Sequence, residues 1–101
     1  MSQATDCIAE LGRAANTLDA VTPFERGRLL DRGISIVRAQ RELLQLQGNI
    51  VPVRPGFMQD MGTLAEMAGR EDGIDVLIGA GMLMLADEIQ RLRMLCRDRD
   101  L

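Results

Sequence analysis

The sequence predicts an all-α fold, a compact bundle of three longer helices and one short helix with a proline- and glycine-rich linker at residues 48–56. Three observations carry this. Apolar residues recur at three- and four-residue steps on both sides of the linker, the spacing that lines one face of a helix. Thr22-Pro23-Phe24-Glu25 is a helix-start signal, with a capping hydroxyl, proline at the first helical position and Glu three residues after the cap. Phe24 and Phe57 are the only aromatic residues, so Leu, Ile, Val, Met and Ala must fill the core. That mix suits helices better than sandwiched sheets. At 101 residues the chain reads as one helical domain spanning residues 1–101.

The first helix is expected from about Thr5 to Asp19, with Ala4, Ile8, Leu11, Ala15 and Leu18 on one face. The second starts after Thr22 and runs to about Gln47, where Gly48 and Asn49 stop it. Its apolar set, Leu29, Leu30, Ile34, Ile36, Val37, Leu43 and Leu44, spans about half the circumference at roughly 100° per residue. That is more than one neighbour covers in a small monomer, and it predicts self-association. Pro52, Pro55 and Gly56 forbid helix in the linker. Any extended piece there is confined to an edge. A shorter third helix spans about Phe57 to Ala68, with Phe57, Met61, Leu64, Ala65 and Ala68 inward. A turn at residues 69–73 follows, and Asp72 is placed to cap a fourth helix reaching about Arg97. Asp75 in its first turn and Arg91, Arg93 and Arg97 near its end suit the helix dipole. Its early part is apolar nearly all round, which predicts the buried centre of the bundle, and together with the second helix it carries more apolar surface than one small chain hides, so self-association is expected through both helices.

The functional reading begins from absences. The chain has no His, Lys, Trp or Tyr, and all twelve basic residues are Arg. The usual general base, the commonest metal ligand and the Schiff-base amine are therefore missing. This argues against an enzyme, and no cofactor or metal is expected. The net charge of −3 argues against a dedicated nucleic-acid binder. No run of eighteen apolar residues exists, so no membrane span is expected. Cys7 and Cys96, without a leader-like N-terminus, point to a reduced, cytoplasmic protein. Both lie in apolar helical stretches, where Cys packs as a small hydrophobe.

Other patterns are weaker. Ile74-Asp75-Val76-Leu77-Ile78-Gly79-Ala80-Gly81 has the outline of a strand entering a dinucleotide-binding Gly-x-Gly turn. Met84 occupies the third glycine position, and too little chain follows to complete the unit. A helix whose small residues allow close packing is the better reading. The Asp72–Asp75 segment lacks the ligands of a calcium loop. Asp87–Glu88 and Glu71–Asp72 read as solvated, salt-bridged faces, with Asp87 and Arg91 paired at i,i+4. Arg26, Arg28, Arg32, Arg38 and Arg41 outline a nucleic-acid face, and Gly33 offers a break that would leave residues 34–47 as a recognition helix. Interspersed Glu25, Asp31 and Glu42 oppose that reading. Six internal methionines, concentrated in the second half, suit either a core or an adaptable groove.

The expectation is a small, non-enzymatic, cytoplasmic protein–protein interaction module, a regulator such as an inhibitor, anti-activator or adaptor. Its partner is another protein, with homodimerisation as well. Leu29, Ile36, Leu43, Met82, Arg26 and Arg32 are the candidate partner-binding residues. The alternatives are a small DNA-binding transcriptional regulator using the Arg-rich helix 23–47, or an accessory subunit of a larger complex.

Overall fold

The computed structural model describes residues 3–48, 56–70 and 74–99. It contains α1 (Gln3–Asn16), a 3-10 turn (Leu18–Ala20), α2 (Pro23–Leu46), α3 (Phe57–Gly69) and α4 (Asp75–Arg99). No strand occurs among the described residues. The all-α bundle is therefore the fold. The proposed cap Asp72 and the linker prolines lie outside the described residues.

Local sequence sets the boundaries. The Thr22 hydroxyl accepts a hydrogen bond from the Glu25 amide at 3.1 Å, and Pro23 opens α2. Such a cap contributes about 0.5–2 kcal/mol. Helix α2 ends one residue earlier than expected, and Gly48 follows with φ +83°, the left-handed conformation that glycine adopts at least cost. Helix α1 stops at Asn16 rather than Asp19. The Thr17 hydroxyl donates to the Arg13 carbonyl at 2.7 Å, and the chain tightens into the 3-10 turn.

Packing follows from a few close approaches. A methyl placed on Gly33 of α2 would lie 3.2 Å from Leu85 and 3.4 Å from Leu11, so three helices converge there. Gln40 of α2 donates to the Ile89 carbonyl of α4 at 3.1 Å, and Arg26 pairs with Asp75 at 2.8 Å. These contacts run α2 and α4 in the same direction. Gly79 of α4 meets Leu18, while Arg93 donates to Thr5, which sets α1 antiparallel to α4. Gly27 of α2 approaches Ala65 and Gly69, and Gly81 of α4 approaches Leu64 and Met61, which sets α3 antiparallel to both. Helices α2 and α4 thus form the centre. Helix α1 flanks it mainly on α4, and α3 mainly on α2. The molecule is flat, 42 × 29 × 16 Å.

The core is aliphatic: Cys7 and Leu11 of α1, Leu30, Val37 and Leu44 of α2, and Ile78, Met82, Leu85, Ile89 and Leu92 of α4 are fully buried. Phe57, Met61, Ala65 and Ala68 turn inward as their spacing predicts, with Leu64 partly buried beside them. Most of the wide apolar face of α2 is covered within the chain, because three helices rather than one pack on it. The expectation for α4 needs the opposite correction. Its early part is not buried all round: Val76 is 78% exposed, and Ile74, Leu77 and Leu83 are exposed as well. In a flat four-helix arrangement even a central helix keeps one arc toward solvent. No described helix is long and apolar enough to cross a membrane.

Candidate interaction surface

Most of the large apolar side chains exposed among the described residues are on α4: Val76, Leu77, Leu83, Met94 and Leu95. Val76, Ala80, Leu83, Asp87, Gln90 and Met94 follow one another at steps of four, three, four, three and four. That is the spacing of a helix–helix seam. All but Gln90 are exposed. Leu77, Met84, Arg91 and Leu95 flank the row. Near the start of α4, this face borders a groove of about 510 Å³. Ala15, Leu18 and Asp19 form one wall, and Asp75, Val76 and Leu83 form the other. Gly79 keeps the groove close to the backbone, since a methyl there would sit 3.2 Å from Leu18. Two carboxylates and no arginine line it. At the opposite side of the bundle, Phe24 is 72% exposed beside the α2–α3 crossing.

Ion pairs fix the polar part. Glu88 is buried and is held bidentately by Arg91, at 2.9 and 2.7 Å. The hydrogen bond to Glu88 raises the Arg91 guanidinium further above its ordinary value. A buried carboxylate needs such a partner. This corrects the expected Asp87–Arg91 pair: Arg91 turns to Glu88, and Asp87 has no ion pair among the described residues. Arg32 donates to Glu10 of α1 at 2.9 Å, and that bond likewise raises the Arg32 guanidinium. Burial raises the Cys7 thiol, an effect that the charge of nearby Arg32 opposes and that of Glu10 reinforces.

The six sequence-predicted contact residues do not form one surface. Leu29 and Met82 are in the core, so a partner cannot reach them in the folded chain. The inward arcs of α2 and α4 claim both. Ile36 is half-buried against the core, and Leu43 is exposed. Arg26 is a structural tether: its Nε donates to the Val21 carbonyl at 3.0 Å, Nη2 to the Leu18 carbonyl at 2.6 Å, and Nη1 to Asp75. Arg32 faces α1.

The Arg-rich helix is continuous through Gly33, which is buried within it, so the expected break does not occur. At roughly 100° per residue its five arginines spread around the whole circumference. Asp31 and Glu42 fall between Arg38 and Arg28, and Arg28 pairs with Glu25 at 3.1 Å. Among the described residues no three carboxylates or thiols stand together as metal ligands. The Ile74–Gly81 segment is helical from Asp75, which removes the strand that a dinucleotide turn requires.

The residues missed from sequence, Val76, Leu77 and Leu83, carried a signal that pointed two ways. A helix apolar on every side is either enclosed or has a face for another molecule. The choice depends on how many helices surround it. Comparison with known proteins returns no match from family models, curated protein sequences or solved structures.

Proposed function

We propose that the chain is a small, non-enzymatic protein–protein interaction module of the cytoplasm, a regulator or adaptor that binds a partner protein through the outward face of α4. The observation that carries this is the exposed row of apolar residues at seam spacing from Val76 to Leu83, continued by Met94. Single exposed leucines are ordinary on a protein surface, whereas an apolar row in register along one helix is a docking feature. The absence of His and Lys from the sequence supports a binding role over a chemical one.

The test uses the unmodified protein and Leu83→Asp as paired baits in extracts of the source cells. Leu83 is exposed, so the substitution should change stability by no more than about 0.5 kcal/mol. A thermal melt verifies this. The reading expects a stoichiometric protein partner on the unmodified bait and its loss on the folded variant. Equal capture by both baits would overturn it, as would capture of no protein by either.

A further inference from the structure

We infer that a second copy of this chain packs on the outward face of α4, with the two α4 helices antiparallel. This rests on the reading of that face as a docking surface and names one occupant for it. The first argument is charge along the helix. On the outward face of α4 the exposed charges are Asp87 and Arg91, an acid and a base one turn apart. Antiparallel pairing brings the Asp87 of each copy to the Arg91 of the other. Parallel pairing sets like charge on like.

The second argument is register. A twofold axis crossing α4 at the level of Ile89 sets residues equally distant from it against each other. Asp87 then faces the partner's Arg91. On either side of that pair, within one residue of the same level, Leu83 meets the partner's Met94 and Met84 meets the partner's Leu95. A twofold interface is self-complementary, so every contact occurs twice. Asp87, which has no ion pair among the described residues, gains a cation in this arrangement. Arg91 keeps Glu88 and serves both carboxylates. The apolar side chains that flank the charges, Leu83, Met94 and Leu95, are exposed in the single chain.

Sedimentation equilibrium of the unmodified protein, Asp87→Arg, Arg91→Asp and an equimolar mixture of the two variants tests this. In either variant alone, like charges meet twice across the axis. Each should raise the dimer dissociation constant by about tenfold or more. In the mixed dimer both pairs are opposite in charge again, so the mixture should return close to the unmodified value. Leu83→Asp, which leaves the Glu88 pair untouched, should also dissociate the dimer. Circular dichroism establishes that each variant is folded. A monomeric unmodified protein at high micromolar concentration would overturn the inference. So would folded single-charge variants that dimerise normally, or a mixture that stays dissociated. If the unmodified protein is monomeric while Leu83→Asp still abolishes capture of another protein, self-pairing fails and the docking face stands. If Leu83→Asp changes neither association nor capture, both fail.

Discussion

Arg26 reads in the sequence as one of five charges on an arginine-rich helix, but in the fold it is a tether. Its planar fork reaches the Leu18 carbonyl of the 3-10 turn, the Val21 carbonyl just after it and one carboxylate of α4, a geometry that a lysine ammonium does not reproduce. Arg26→Ala should therefore lower stability by about 1.5–3 kcal/mol, the range for hydrogen bonds made by a charged group. Asp75 is more exposed than Arg26, and Asp75→Asn should cost no more than about 1 kcal/mol. Urea melts of both variants check the difference, and equal losses would show that the carbonyl contacts carry nothing.

Cys7 makes a second prediction at this scale. Burial raises its folded-state titration above the ordinary 9.0. As pH rises past 9.0, the unfolded chain loses this proton first, so stability falls by up to about 1.4 kcal/mol per pH unit. The loss ends once the folded thiol also ionises. The sequence has no Lys, Tyr or His, and Cys7→Ala should flatten the alkaline slope. An unchanged slope in that variant would assign it elsewhere.

At the level of elements, the helices were legible where a local signal and the packing agreed. The cap at Thr22, the Gly48 stop and the inward row Phe57, Met61, Ala65 and Ala68 all lie where spacing placed them. The end of α1 was not legible, because a Thr17 side chain taking its own helix's carbonyl leaves no mark on apolar periodicity. Nor were the roles of the glycines, which depend on what crosses them. A methyl on Gly27 would lie 3.3 Å from the Ala65 carbonyl oxygen and 3.4 Å from the Gly69 backbone, neither of which yields easily. A methyl on Gly62 meets nothing within 4 Å. Gly62→Ala should raise stability by up to about 1 kcal/mol through helix propensity. Gly27→Ala should lose that gain and destabilise the chain by about 1–3 kcal/mol. Thermal or urea melts of the two variants decide it, and shifts of the same sign would show that the α2–α3 crossing is looser than described.

At the scale of the whole molecule, the fold class followed from sequence, and the candidate surface only in part. The breadth of the α2 apolar face suggested a partner, yet α1, α3 and α4 together cover most of it. The nearly all-round apolar start of α4 suggested both burial and self-association, and one arc of it faces solvent. Both outcomes have the same cause. Apolar width says how much surface a helix must hide, while the number and placement of its neighbours says how much is hidden. Only tertiary structure supplies the second quantity. The surplus that the sequence placed on both helices therefore lies on α4, in the row Val76, Ala80, Leu83 and Met94, because Leu29 and Ile36 of α2 are committed to the fold.

Sedimentation equilibrium of the unmodified chain beside Leu83→Asp, up to high micromolar concentration, tests this account most directly. The account predicts a reversible dimer for the unmodified chain and a folded monomer for the variant. A dimer that survives Leu83→Asp with the same dissociation constant would contradict it, because the α4 face would then be a surface that nothing uses for self-association.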